Sequence, residues 1–296
     1  MPEQKRILLA ILLTLTAIIG FDIMGILVRI MSARGYSAAE LSAYRNIFGV
    51  IPSLLVMAWL GELQFTRKAL AITRWKLALF RGFTVAMAQL LFYTSLGILE
   101  LATISALAQT SALFVVIFSV VLLGEKVGLW RIFALAVGFA GALWILRPGT
   151  ESFTIYALLP IAASVCYGFT IVSVRFFDAS VTNTLMYLWS SIASTASALL
   201  YVFFTSGFTR FPVGQDFLLI FALSLAGGIA VLFLMFAYRM AAPSILAPFS
   251  YVGILTAFFF GWIFFDEAPV ETLFPGVILI VGAGAVIIWR EQFARK

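Results

Sequence analysis

Residues 238–290 read YRMAAPSILAPFSYVGILTAFFFGWIFFDEAPVETLFPGVILIVGAGAVIIWR. They contain two apolar runs, each long enough to cross a bilayer as a helix, and a short acidic break at Asp266 and Glu267 separates the runs. Residues 93–147 follow the same plan, and there the break falls at Glu125. Two apolar runs around one charged break predict a membrane-embedded helical hairpin, and the second occurrence predicts an internal repeat.

The two stretches align weakly when the acidic breaks are superimposed. The paired positions are Glu125 and Glu267, Gln109 and Tyr251, Ala106 and Pro248, and, after one inserted residue, Gly141 and Gly284, and Arg147 and Arg290. A repeat at about half the chain length is typical of transporters in which two homologous units face each other across a central site. The sequence therefore predicts two units, residues 1–148 and residues 149–296.

Composition limits the class of protein. The chain is 63% hydrophobic and 11% charged, with a mean hydropathy of +1.11, whereas soluble domains carry about 25% charged residues. These values predict an integral membrane protein. The sequence has no histidine and a single cysteine, Cys166, which excludes His-based catalysis and multi-cysteine metal sites. We therefore expect no enzyme activity, cofactor or metal, and we assign the net charge of +6 to membrane topology rather than to nucleic-acid binding.

Ten apolar segments of about 20 residues each predict an all-α protein with ten transmembrane helices. They are residues 7–31, 38–60, 75–98, 101–123, 128–147, 153–176, 183–206, 216–239, 243–265 and 271–290. The links between them are short, so neighbouring helices are predicted to be antiparallel. Five helices per unit is an odd number, and the second unit therefore enters the membrane from the opposite face, as an inverted repeat.

Basic residues between the spans predict the orientation, because they collect in the cytoplasm. One side collects Lys5, Arg6, Arg67, Lys68, Arg74, Lys76, Lys126, Arg131, Arg175, Arg239, Arg290, Arg295 and Lys296, and the other collects Arg34, Arg147 and Arg210. This bias predicts that both termini are cytoplasmic in a bacterial inner membrane. Whether the chain is a monomer or a homodimer is open.

Three charged residues inside the predicted spans are candidates for a substrate site: Asp22, Arg45 and Arg81. An acid near the bilayer centre costs on the order of 3 kcal/mol on insertion scales, so Asp22 is expected to face a cavity or a partner. Asp22 could bind a substrate ammonium group or couple transport to protons. Arg45 and Arg81 could bind an anionic substrate group, and Arg81 could equally form a structural pair with Asp22.

Six uncharged polar residues complete the candidate set, since they lie within or close to spans that meet at the repeat interface: Gln89, Tyr93, Gln109, Thr110, Tyr238 and Tyr251. Such side chains could bind a substrate or could hydrogen-bond a neighbouring helix. Tyr167 is interpreted as a core or interface aromatic residue. Pro248 is expected to distort the ninth span, and distorted helices are where transporters place binding sites.

Three segments carry a resemblance to a known family. They are FDIMGILVRIMSARGYSAAELSAYRNIFG (21–49), LLGEKVGLWRIFALAVGFAGALWILRPG (122–149) and AYRMAAPSILAPFSYVGILTAFFFGWIFFDEAP (237–269). They resemble EamA-type members of the drug/metabolite transporter superfamily over nearly the whole chain. The resemblance implies ten helices, an inverted repeat and a central cavity lined mainly by helices 1, 3, 4, 6, 8 and 9.

The resemblance also implies a function. Family members move amino acids and related metabolites, and some bacterial relatives take up riboflavin or S-adenosylmethionine. The sequence is thus expected to encode a secondary transporter for a small polar or zwitterionic metabolite, with an amino acid first and a larger metabolite as the alternative. A membrane-embedded lipid-modifying enzyme and a scaffold subunit are the alternatives from other classes.

Overall fold

A computed structural model describes residues 3–61, 71–99, 104, 107–108, 110–146, 155–178, 181–205, 207–209, 211–266, 278–279 and 282–283. Within these ranges the chain is helical and contains no strand. The all-α class predicted from the sequence is therefore confirmed.

Eleven α-helices are bounded within the described part of the chain. They are α1 (Glu3–Ala33), α2 (Ala38–Gly49), α3 (Ile51–Trp59), α4 (Trp75–Leu96), α5 (Thr110–Leu123), α6 (Leu129–Leu146), α7 (Leu158–Ser173), α8 (Asn183–Phe204), α9 (Gln215–Met240), α10 (Pro243–Leu246) and α11 (Val252–Phe265). Short 3-10 segments, Ile155–Ala157 and Val174–Phe176, flank α7, and a third, Ala247–Tyr251, joins α10 to α11.

Six of these helical segments are long and apolar enough to span a membrane: Glu3–Ala33, Ala38–Trp59, Trp75–Leu96, Ile155–Phe176, Asn183–Phe204 and Gln215–Met240. Shorter apolar helices occur at Thr110–Leu123, Ile132–Gly141 and Phe249–Phe265. Each of the first nine predicted spans thus contains helix in its described part. The tenth, 271–290, lies almost wholly outside the described residues, as do Gln109, Arg147, Glu267, Gly284 and Arg290.

Local sequence explains where two of the spans are interrupted. A Ser37–Glu40 capping box begins α2, because each side chain accepts a hydrogen bond from the other residue's backbone nitrogen. Val50 separates α2 from α3, and a proline in the first turn of α3 suits a helix start. The ninth predicted span is not one continuous helix, since Pro248 lies in the 3-10 segment between α10 and α11.

Helices from the two predicted units interleave. The most extensive contacts join α1 to α9, α4 to α7 and α8, α2 to α8 and α9, and α5 to α7. Glycines permit two of these approaches. A Cβ at Gly82 of α4 would lie 3.0 Å from the Ser194 nitrogen of α8, and a Cβ at Gly228 of α9 would lie 3.1 Å from the Gly49 carbonyl carbon of α2. The centre of the bundle is consequently enclosed by both parts of the sequence.

Candidate functional site

A cavity of about 250 Å³ lies between the interleaved helices. Its walls come from α1, α2, α4, α5, α7, α8, α9 and α11, and most of the lining is apolar. The charged side chains in the described lining are Asp22, Arg45 and Arg81. A largely apolar pocket with a few polar groups aimed inward is the usual form of a small-molecule site.

Asp22 projects from α1 near the place where this helix contacts α9. An added Cβ at Gly20 would lie 3.1 Å from the Ala230 Cβ, so the two helices approach closely here. The Asp22 carboxylate accepts a hydrogen bond from the Thr256 hydroxyl of α11. In the described part of the chain Asp22 forms no ion pair, and the ion pair found there joins Arg34 to Asp216.

Arg45 reaches the cavity from α2 and is only 2% exposed. Its Nη1 donates to Asn46 Oδ1 at 3.0 Å, and its Nη2 donates to the Gly227 carbonyl oxygen at 3.3 Å. Its buried Nε has no hydrogen-bond partner. A Cβ at Gly227 would lie 3.1 Å from this Nε, so the guanidinium lies against bare backbone of α9.

Arg81 lies on α4 and is 3% exposed. Its Nε donates to the Thr170 carbonyl oxygen of α7 at 3.3 Å, and its Nη1 donates to the Ser190 hydroxyl of α8 at 2.8 Å. The structural pair with Asp22 that the sequence left open is therefore not formed. Both cavity arginines are held by neutral groups, and neither contacts a carboxylate in the described part of the chain.

Gln89 connects the arginine side of the cavity to α2. Its Oε1 accepts hydrogen bonds from the Ser42 hydroxyl and from Asn46 Nδ2, both at 2.9 Å. Asn46 in turn accepts from Arg45. The polar wall formed by α2 and α4 is thus one connected network.

The remaining candidates from the sequence are divided between cavity and core. Tyr238 lines the cavity. Tyr93 is buried outside the lining, with its hydroxyl 3.5 Å from Met24 Sδ, and Tyr251 is buried with its hydroxyl 3.2 Å from the Leu135 carbonyl oxygen.

Thr110 also lies outside the lining, and its hydroxyl donates to the Leu107 carbonyl oxygen, three residues earlier, at 2.6 Å. Gln109 lies outside the described residues. The structure accordingly brings Asp22, Arg45, Arg81, Gln89 and Tyr238 together around one cavity.

Sequence reasoning missed several residues of the site. Tyr187 and Ser190 line it from α8. This helix is the seventh predicted span, which the family resemblance did not include among the main lining helices. A signal existed, since Ser190, Ser191 and Ser194 share one face of a largely apolar helix. Tyr167, interpreted as a core or interface aromatic, lines the cavity and contacts Phe92 edge to face.

Comparisons with known proteins agree with this architecture. The EamA-like transporter family matches residues 8–147. The pseudopaline exporter CntI of Pseudomonas aeruginosa is 28% identical over 282 residues, covering 95% of this chain and 94% of that protein. A riboflavin transporter of Brucella anthropi is 30% identical over 191 residues, covering 63% of this chain and 67% of that protein. An S-adenosylmethionine uptake transporter of Rickettsia felis is 25% identical over 257 residues, covering 86% of this chain and 84% of that protein.

A crystal structure also matches the fold, with a TM-score of 0.75 at 20% identity, covering 97% of this chain and 99% of that chain. Together with the long apolar helices, these relatives confirm the resemblance predicted from the sequence and point to transport rather than to catalysis. This chain belongs to the EamA-like transporter family of the drug/metabolite transporter superfamily, and it is a multi-pass membrane protein that transports a metabolite.

Proposed function

We propose that this chain is a secondary transporter for a small zwitterionic metabolite, an amino acid or an amino-acid-like compound, in the bacterial inner membrane. The observation that carries the proposal is the cavity with one acid, Asp22, and two arginines, Arg45 and Arg81, none of which is paired with another charge in the described part of the chain. An amino acid supplies the complementary ammonium and carboxylate groups, and its side chain would pack against the apolar and aromatic lining.

The cost of burying charge supports this proposal. Ionised side chains inside a membrane are expensive and usually face a partner or a substrate pathway. Hydrogen bonds from neutral groups offset only part of the desolvation of a guanidinium, so an arriving carboxylate gains more here than it would at an exposed arginine. The site therefore favours a charged substrate over a purely apolar one.

The helix bounds support the proposal of two units. When the residue numbers of the first unit are shifted by one constant amount, both ends of the α2–α3 span coincide with the ends of α8. Both spans begin after a residue whose side chain caps the helix, Ser37 and Thr182. A second offset takes the C-terminal end of α5, Leu123, onto that of α11, Phe265, and both ends are followed by a residue with left-handed backbone, Gly124 and Asp266. This offset aligns Asp266 with Gly124, so the aspartate adopts the left-handed backbone conformation of the glycine at the corresponding position of the first unit.

Helix packing supports the same symmetry. In the proposed repeat, α1 corresponds to α7, α2 to α8, α4 to α9 and α5 to α11. The α1–α9, α2–α9 and α1–α11 contacts then correspond to the α7–α4, α8–α4 and α7–α5 contacts, and all six occur. We therefore propose ten transmembrane helices in two inverted units, residues 1–148 and 149–296, with alternating access around the cavity. The family match ends at residue 147, which agrees with this boundary.

The proposed orientation has both termini in the cytoplasm. It rests on the excess of Lys and Arg on one side of the predicted spans. A reporter fused after Lys296 should stay cytoplasmic. A periplasmic reporter would show that the orientation is the opposite of the one proposed, and it would leave the proposed fold unaffected.

The test of function is transport by the purified full-length chain in proteoliposomes. Labelled amino acids should enter vesicles preloaded with the same unlabelled compound faster than they enter protein-free vesicles, and the rate should saturate with concentration. S-adenosylmethionine and riboflavin belong in the same panel, because relatives are named for them. Exchange of either compound without exchange of any amino acid would refute the amino-acid proposal and favour the larger metabolite.

A further inference from the structure

The ionisable groups around the cavity are unequal in number. Two arginines, Arg45 and Arg81, and one acid, Asp22, line it in the described part of the chain. With Asp22 ionised, these groups carry a net charge of +1. A substrate with one ammonium and one carboxylate would leave one arginine without a counter-charge.

Hydrogen-bond donors without acceptors are concentrated on the arginine side of the cavity. Arg45 Nε is buried and has no partner. Arg81 uses its Nε and Nη1 on Thr170 and Ser190, and its Nη2 makes no hydrogen bond with the described residues. Guanidinium groups only donate, so the buried Arg45 Nε leaves that guanidinium incompletely hydrogen-bonded, and Arg81 Nη2 is available to donate to a substrate.

The orientation of Gln89 follows from its neighbours. Because Arg45 can only donate, it fixes the Asn46 oxygen as an acceptor, and the Asn46 nitrogen then donates to Gln89 Oε1. The Gln89 amide nitrogen is left as a donor that makes no hydrogen bond within the described part of the chain. The α2–α4 wall therefore offers donors from three side chains, Arg45, Arg81 and Gln89.

The two arginines are anchored on different helices. Arg45 is held by the Gly227 carbonyl oxygen of α9, whereas Arg81 is held by Thr170 of α7 and Ser190 of α8. Each guanidinium is therefore fixed independently, and the pair suits two separate anionic groups better than one shared group.

Resting on the function proposed above, we propose that the substrate carries two carboxylates and one ammonium group. Arg45 and Gln89, which Asn46 links in one network, bind one carboxylate, Arg81 binds the other, and Asp22 binds the ammonium. Such a substrate has a net charge of −1 and neutralises the cavity. An amide in place of one carboxylate would leave an arginine unpaired and should weaken binding roughly 10- to 100-fold.

The experiment compares matched acid and amide ligands on the detergent-purified full chain, by thermal stabilisation and direct binding. The pairs are L-glutamate with L-glutamine, and L-alanyl-L-glutamate with L-alanyl-L-glutamine, and L-leucine represents neutral amino acids. A ligand that binds the folded chain raises its melting temperature. The acid of at least one pair should bind about tenfold or more tightly than its amide.

Arg81→Gln should abolish this preference. Lys76→Gln is the matched control, because it removes the same charge from an exposed position on the same helix, and it should leave the preference intact. Arg81→Lys keeps the charge and should retain part of the preference. If Arg81→Gln does not fold, the comparison of acid and amide binding to the unmodified chain still tests the two-carboxylate inference.

The outcomes separate this inference from the proposed function. Equal or tighter binding of the amide, or binding of L-leucine alone, would overturn the two-carboxylate inference and leave an amino-acid transporter. Binding of none of these compounds would overturn the amino-acid proposal together with the inference.

Discussion

Two regions of the molecule bring charged side chains together, and they differ in how completely those side chains are hydrogen-bonded. One is a loop cluster, which we define as Arg34, Tyr36, Glu40, Thr209 and Asp216, where the α1–α2 link meets the α8–α9 link. The other is the cavity with its single acid and two arginines. In the loop cluster each acid accepts several hydrogen bonds. In the cavity the acid accepts one, and the arginines have no carboxylate partner in the described part of the chain.

Glu40 shows what a satisfied buried acid looks like. It is fully buried, and it accepts hydrogen bonds from the Ser37 nitrogen at 2.8 Å, the Thr209 nitrogen at 2.6 Å and the Thr209 hydroxyl at 2.9 Å. It thereby caps α2 and fastens the α8–α9 link to it. Asp22 has a single hydrogen bond from Thr256. The difference indicates that Glu40 holds the fold together, and it agrees with the substrate-binding role proposed for Asp22.

The largest effect is expected from Glu40→Ala. This change leaves the Ser37 nitrogen and both Thr209 donors without their acceptor, so the free energy of unfolding should fall by about 3 kcal/mol. Glu40→Gln retains one acceptor oxygen and should cost less. Thermal unfolding in detergent measures both. An unchanged melting temperature for Glu40→Ala would show that this acid is not structural and would remove the contrast with Asp22.

A smaller and different effect is expected from Asp22→Asn. The amide oxygen can still accept from Thr256, so the melting temperature should change little. Loss of the negative charge should weaken binding of an ammonium-bearing substrate by about 1.5 to 3 kcal/mol, or roughly 10- to 100-fold. Transport rates and ligand affinities in proteoliposomes and detergent measure this change.

The same variant tests proton coupling. If Asp22 carries the coupled proton, residual transport by Asp22→Asn should no longer respond to an imposed pH gradient, because the amide does not titrate. Thr256→Ser, which preserves the hydroxyl donor, is the control and should remain coupled. Coupling that survives in Asp22→Asn would assign the proton to another group.

The sequence predicted the charged part of the cavity better than the uncharged part. Asp22, Arg45 and Arg81 stand out because charge is rare inside apolar spans, and all three line the cavity. The sequence predicts the level of Tyr93 and Tyr251 along their helices but not their rotation about the helix axis, and neither side chain lines the cavity.

Contacts between residues that lie far apart in the chain could not be predicted from the sequence either. Thr256 and Asp22 meet only because α11 packs beside α1, and Ser190 meets Arg81 only because Gly82 lets α4 approach α8. A serine or threonine in an apolar helix usually bonds its own backbone, as Thr110 does. The residue type alone therefore did not mark Ser190 or Thr256 as part of the site.

The smallest effect is expected from the ion pair of the loop cluster. Arg34 Nη1 lies 2.5 Å from Asp216 Oδ1, but the side chains are 35% and 20% exposed, so solvent screens their attraction. A double-mutant cycle with Arg34→Gln and Asp216→Asn should give a coupling energy in unfolding of at most about 1 kcal/mol, smaller in high salt. Transport should stay near normal if this cluster is purely structural. A large change in transport with little change in stability would instead indicate that the Arg34–Asp216 pair is a gate that opens during the transport cycle. The loop cluster would then take part in transport, and the distinction between a structural cluster and a substrate-binding cavity would be wrong.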